Sequence, residues 1–175
     1  MKKILLVLLI IMFTINITAQ DSFNYDNKGL TPKYLVKPFE NIPQSELFNK
    51  SINWIKETYR NPNEVIKTTI VSKTIRFEGI SISALANKNA RYLIEIEFKN
   101  NKYKFKPLEV FVIMPSSVIG GDYEINLESG EDYYKRNGDK KSRTKDLVVQ
   151  VKDLLNGIEE SLNNYINNYE ETSDW

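Results

Sequence analysis

The stretch Arg91-Tyr92-Leu93-Ile94-Glu95-Ile96-Glu97-Phe98-Lys99-Asn100-Asn101-Lys102-Tyr103-Lys104-Phe105-Lys106 decides how this chain folds. Apolar and charged residues alternate on both sides of Asn100-Asn101, the period of a half-buried strand. Asn tolerates positive φ, so a two-residue hairpin loop at Asn100-Asn101 fixes the register by counting outward. Lys99 then faces Lys102, Phe98 faces Tyr103, Glu97 faces Lys104, Ile96 faces Phe105 and Glu95 faces Lys106. Apolar residues meet apolar ones and carboxylates meet ammoniums. A slip of one residue would send every side chain to the opposite face, so this agreement assigns the faces as well as the hairpin. One face is apolar. The other carries Glu95, Glu97, Lys104 and Lys106, joined by Arg76 and Glu78 from the neighbouring strand.

Working outward, Val65 to Ser72, Thr74 to Leu85, Arg91 to Lys99 and Lys102 to Met114 read as four antiparallel strands rich in β-branched residues. The alternation slips across Gly79 and again across Pro107, which predicts two bulges that curve the sheet. Upstream, Tyr34, Leu35, Val36 and Phe39 lie between Pro32 and the interruption at Pro38, as an edge strand would. Pro43 and Ser45 signal a helix start, with Ser45 as cap. Phe48, Ile52, Ile55 and Tyr59 then form an apolar stripe that ends at Asn61-Pro62. Trp54 and Tyr59 on or beside that stripe read as core.

Downstream, residues 115–143 are irregular, with Tyr123, Ile125 and Leu127 alternating as one short additional strand. From Thr144 a long amphipathic helix runs through Leu147, Val151, Leu155, Leu162 and Ile166 to Tyr169, ahead of a polar tail at 170–175. The order is β-α-β-β-β-β-α. Two helices, each with one apolar stripe, pack economically on the single apolar face. The expected fold is therefore a two-layer α+β domain over residues 33–169, with a curved antiparallel sheet of about five strands.

Lys2-Lys3, the apolar run Ile4 to Ile15 and the closing Thr18-Ala19-Gln20 have the layout of a secretory signal peptide over residues 1–20, cleaved after Ala19 or Gln20. The apolar run falls short of the roughly 20 residues a spanning helix needs. No Cys follows it, so no lipoprotein anchor and no stable membrane anchor after cleavage is expected. The protein is expected in the periplasm or outside the cell. Asp21 to Gly29 is mostly polar, and residues 21–32 read as a flexible segment.

The chain has 175 residues, 24 Lys+Arg, 23 Asp+Glu, no His and no Cys. That excludes Ser-His-Asp and Cys-His nucleophiles, His or Cys zinc sites and disulfides. Loss of residues 1–20 removes two lysines and no acid, which moves the net charge from +1 to −1. A near-neutral exported chain is a poor nucleic-acid binder, because phosphate neutralisation needs a surplus of cations.

The segments Ser45-Glu46-Leu47-Phe48, Trp54-Ile55, Asn61-Pro62, Val65-Ile66, Ile75-Arg76-Phe77-Glu78-Gly79, Tyr92-Leu93-Ile94-Glu95-Ile96 and Asn101-Lys102-Tyr103-Lys104-Phe105 resemble a secreted bacterial family of unknown function with a TATA-binding-protein-like (TBP-like) fold. The resemblance covers roughly residues 33 to 113. It implies an exported protein of a Gram-negative envelope, built as a curved antiparallel sheet backed by helices, and brings no catalytic residues with it.

Two surfaces are candidates for binding. The first is the open sheet face, with Arg76, Glu95, Glu97, Lys104 and Lys106. Glu95 and Glu97 stand roughly 6–7 Å apart on one strand face, near the carboxylate separations of glycosidases. The facing lysines favour cross-strand ion pairing instead. The second is the loop carrying Tyr123, Tyr133 and Tyr134, whose rings can stack on a sugar or a partner, against a bland reading as partly buried packing. Asp122, Glu124, Glu128, Glu131 and Asp132 match no calcium-loop spacing. The basic run Lys135, Arg136, Lys140, Lys141, Arg143 and Lys145 reads as a counterweight to them. The Asn49-Lys50-Ser51 sequon falls inside a predicted helix and carries no weight. No metal, cofactor or catalytic residue is expected. The reading is a non-enzymatic binding domain for an unknown protein or small molecule, with a carboxylate-dependent hydrolase as the alternative.

Overall fold

The computed structural model describes residues 22–115, 121–127, 129–131, 133–141 and 145–169. The expected signal peptide at 1–20, Glu128, Asp132, Arg143 and the tail at 170–175 lie outside the described residues. The deciding hairpin folds as its sequence dictates. Strands β6 (Lys88–Lys99) and β7 (Lys102–Met114) pair with all five expected partners in register, from Lys99 against Lys102 to Glu95 against Lys106. Asn101 takes a φ of 62° in the turn.

The remaining elements, in chain order, are β1 (Asn24–Asp26), β2 (Gly29–Thr31), β3 (Leu35–Pro38), α1 (Gln44–Thr58), the one-turn α2 (Pro62–Val65), β4 (Ile66–Ile70), β5 (Thr74–Leu85), β8 (Tyr123–Asn126) and α3 (Lys145–Asn168). The main antiparallel sheet runs β3-β7-β6-β5-β4, and β8 also pairs with β7. It has six strands where about five are expected, because the short Tyr123 strand forms. The chain is the expected α+β domain with a curved antiparallel sheet.

The two long helices, α1 and α3, cover the apolar face. From the sheet come Ile75, Phe77, Tyr92, Ile94, Ile96, Phe98, Tyr103, Phe105, Val110 and Val112, all buried. Helix α1 contributes Leu47, Phe48, Trp54 and Ile55, and α3 contributes Leu147, Val151, Leu155, Leu162 and Ile166. Each large side chain removed from water here stabilises the fold by about 1.5–3 kcal/mol. Trp54 packs edge-on against Phe77 at 5.6 Å, and its indole N–H donates to Ser161 Oγ at 3.1 Å.

Four local expectations are corrected. Within the segment expected to be flexible, residues 22–32 are ordered: β1 and β2 form a hairpin that buries Phe23, Tyr25 and Leu30. The polar residues of that segment occupy its turn and outer side, and three apolar side chains suffice to dock it. The Phe23 N–H donates to Asn156 Oδ1 at 2.7 Å and Asn156 Nδ2 donates back to the Phe23 carbonyl at 3.0 Å, which ties the hairpin to α3.

Ser45 does not cap α1. Pro43 holds the N-cap position, and the Gln44 N–H donates to Asn100 Oδ1 at 3.0 Å, so the cap comes from the β6–β7 turn.

Gly79 makes no bulge. Pairing of β5 with β6 is continuous from Thr74 to Ser81, and Ile80 points to solvent at 57% exposure. Gly79 serves its partner instead: a Cβ there would lie 2.5 Å from the Tyr92 ring. The β5 irregularity falls between Ser81 and Leu85, where Ser83 has a φ of 54°.

Strand β6 begins at Lys88 rather than Arg91, because Ala86 and Asn87 both adopt positive φ in a tight turn. The second expected bulge is present. Ile94 pairs with Pro107 and Leu93 with Glu109, so Leu108 has no partner on β6.

Candidate functional site

The outer face of the sheet faces solvent, since both helices pack on the other. Alternation along β5, β6 and β7 brings Arg76, Glu95, Glu97, Lys104 and Lys106 onto it, as the register requires. Their pairing differs from the simplest expectation in one respect. Lys104 Nζ meets Glu97 Oε1, the expected cross-strand pair. Glu95 turns the other way, accepting from Arg76 Nε at 2.6 Å, because Arg76 is its register partner on β5. Arginine's planar donor set competes well for a carboxylate. Lys106 is left without an ion pair among the described residues. Glu95 is also more enclosed than a solvated face implies, at 7% exposure.

Arg91 is a hub that sequence reasoning did not single out. Its Nε and Nη2 each donate to Glu124 at 2.6 Å, in a two-pronged contact. Its Nη1 reaches Glu78 at 3.1 Å and Glu109 at 3.5 Å, and the guanidinium lies 4.4 Å from the centre of the Phe111 ring. The hydrogen bond from Arg91 holds the Glu124 carboxyl below its usual range. The same contact drives the Arg91 guanidinium further up. The signal was present in the pattern, since Arg91 shares the odd-numbered face of β6 with Glu95 and Glu97. Its partner on β8 lay in the irregular region. Among the described residues no group of three or more carboxylates is placed to hold a metal ion.

The loop tyrosines do not form a platform. Tyr133 is buried and its hydroxyl donates to the Asn126 carbonyl at 2.9 Å, while Tyr134 donates to the Tyr25 carbonyl at 2.9 Å. Tyr25 in turn donates to the Leu127 carbonyl at 2.6 Å and packs against the Tyr133 ring. Two of the three rings therefore seat the β1–β2 hairpin, and only Tyr123, 43% exposed, is open to solvent. The reason is the hairpin itself, which supplies apolar cover that a flexible segment would not. Burial raises the Tyr134 phenol above its ordinary range, with the nearby Asp26 adding to it. In the basic run, Lys140 bridges to Tyr134 and the Lys135 N–H donates to the Asp139 carbonyl, so this part of the loop is a folded turn.

Two hollows flank the exposed Tyr34. One, about 570 Å³, lies at the hairpin end of the outer face between Val36, Lys73, Glu97 and Lys104. Lys104 Nζ sits 5.4 Å from the Tyr34 ring there. The other, about 530 Å³, opens beside the Leu108 bulge.

No family model and no curated protein matches the chain. Solved structures do. The chain resembles a TBP-like protein from Parabacteroides distasonis ATCC 8503 with a TM-score of 0.57 and 16% identity, over 78% of this chain and 92% of that one. It also resembles a DUF4468 family protein from Bacteroides ovatus ATCC 8483 with a TM-score of 0.56 and 13% identity, over 81% of this chain and 88% of that one. At such identities the likeness establishes the fold, which is TBP-like, as the resemblance of residues 33 to 113 implied.

Proposed function

We propose that this chain is an exported, non-enzymatic binding domain of the bacterial cell envelope, and that its partner docks on the outer face of the sheet. The supporting observation is electrostatic. Glu78, Glu95, Glu97, Glu109 and Glu124 on that face each contact a cation of the same face or its margin. A carboxylate hydrolase needs an acid and a base whose affinities for protons are set apart in a cleft. Carboxylates held by cations on an open sheet, two of them in single pairs and three around Arg91, serve recognition better. Exposed Tyr34 and Val36 on one margin and Ile80 and Ile82 on the other add apolar area around the charges. The leader layout of residues 1–20 supports export.

The test is capture from envelope extract by the immobilised protein. Reversing the face with Arg76→Glu and Lys104→Glu together should abolish retention of the bound species, and Glu160→Lys on α3 should leave it. Equal retention by both variants would place the contact elsewhere. Cell fractionation with N-terminal sequencing checks export: an envelope or medium species beginning at Gln20 or Asp21 is expected, and an intact cytoplasmic chain contradicts it.

A further inference from the structure

Strand β7 is paired on one side by two separate strands. Strand β3 covers it from Lys102 to Phe105 and β8 covers it from Phe111 to Met114. Between them lies an interval where neither strand pairs with it, and there the Leu108 bulge bends the chain beside Pro107. A proline removes a donor from the ladder and suits such a break. The hollow of about 530 Å³ opens in this interval, floored by the buried Leu30, Val110, Leu127 and Val151. Its size falls within the few hundred to about 1,000 Å³ of small-molecule sites, and such sites are mostly apolar with a few polar groups.

Lys33 and Lys106 line this hollow. Neither makes an ion pair among the described residues. For Lys106 the cause is visible, since its register partner Glu95 is bound to Arg76. The one carboxylate in the lining, Glu109, contacts Arg91. An apolar recess lined by two ammoniums without ion pairs against one carboxylate, itself drawn toward Arg91, complements an amphiphile that carries one negative charge.

We propose that this recess binds a small amphiphilic anion, an apolar chain or ring ending in a carboxylate or comparable group, with its body against Leu30, Leu108 and Val151 and its charge at Lys106 and Lys33. This goes beyond docking on the outer face and does not depend on it. The site is built by elements that meet only in the folded domain: the β1–β2 hairpin, the bulge and α3.

The test is titration of the purified protein with decanoate below its micelle concentration, followed by calorimetry and by methyl NMR of the leucine and valine residues. Saturable one-to-one binding is expected, with shifts at Leu30, Leu108 and Val151. Decanol, without the charge, and acetate, without the body, should each bind at least tenfold more weakly. Lys106→Met should weaken decanoate at least fivefold while keeping the aliphatic stem, Leu108→Asp should abolish binding, and Lys99→Met at the distant turn should change nothing. Each variant is checked by its NMR fingerprint, and Lys106→Met stands as the test if Leu108→Asp does not fold. Sedimentation with phosphatidylglycerol vesicles, displaced by decanoate, would identify lipid as the source of the anion. Decanoate binding without sedimentation would identify a free acid. No saturable binding, equal binding of decanol, or insensitivity to Lys106→Met would overturn the proposal.

Discussion

The Tyr103 hydroxyl donates a 2.7 Å hydrogen bond to Glu159 Oε1 between β7 and the middle of α3, with both residues buried. Glu159 also meets Lys37 Nζ from β3 at 3.3 Å. Three elements distant in sequence thus share one buried carboxylate. Replacing Glu159 by Leu strips the Tyr103 hydroxyl of its acceptor and is expected to cost about 1–3 kcal/mol, whereas Tyr103→Phe should cost about 0.5–1.5 kcal/mol. The double variant should recover part of the loss. Urea denaturation of the four species tests this, and simple additivity would mean that the two groups do not interact.

Alkaline stability follows from two enclosed phenols. Burial drives Tyr59 and Tyr103 far above the ordinary tyrosine range, with Tyr92 adding to the first and Glu159 to the second. Both remain protonated in the fold when the unfolded chain would release their protons near pH 10. Below that pH their contribution is complete, and it declines as pH rises past about 10, because the unfolded state then binds fewer protons. Tyrosinate absorbance on alkaline titration should show these two silent until the protein unfolds. Smooth ionisation of all ten tyrosines in the folded state would contradict this burial.

The hairpin of β1 and β2 depends on Gly130. A Cβ there would collide with the Asp26 carbonyl oxygen and lie 2.6 Å from both Asn27 C and Gly29 N. These are backbone atoms that cannot swing away. Gly130→Ala is expected to cost roughly 1–3 kcal/mol and to expose residues 22–32 to proteolysis. Unchanged cleavage and unchanged stability would show that the loop yields without displacing the hairpin.

The assignment of faces can be weighed with single truncations on adjacent β6 positions. Ile96→Ala removes a fully buried side chain and should cost roughly 2–5 kcal/mol. Glu97→Ala, on a solvated pair with Lys104, should cost no more than about 1 kcal/mol. Comparable losses would mean that the outer face is covered.

The sheet was legible because its signal is local. Strands β5 and β7 run Thr74–Leu85 and Lys102–Met114, as their alternation indicates. The hairpin register could be counted from one turn. What escaped depends on partners far along the chain. Phe23, Tyr25 and Leu30 are too few and too short a run to announce a hairpin, and they matter only because Phe105, Leu127, Tyr133 and Asn156, far along the chain, receive it. Glu159 lies in a gap of the α3 stripe between Leu155 and Leu162, and nothing in a helical pattern says that a tyrosine on β7 will fill it. The charged face was found by alternation, but counting from the hairpin set Lys106 against Glu95, and only the three-dimensional geometry shows Arg76 taking that carboxylate instead.

The paired contacts between Phe23 and Asn156 span 133 positions. A contact so remote in sequence forms only when both β1 and α3 are present, and such closures slow folding. The fold is in effect a bracelet whose clasp joins the start of β1 to the middle of α3. A chain still emerging from a ribosome holds only one half of the fastener and stays pliable until the other arrives.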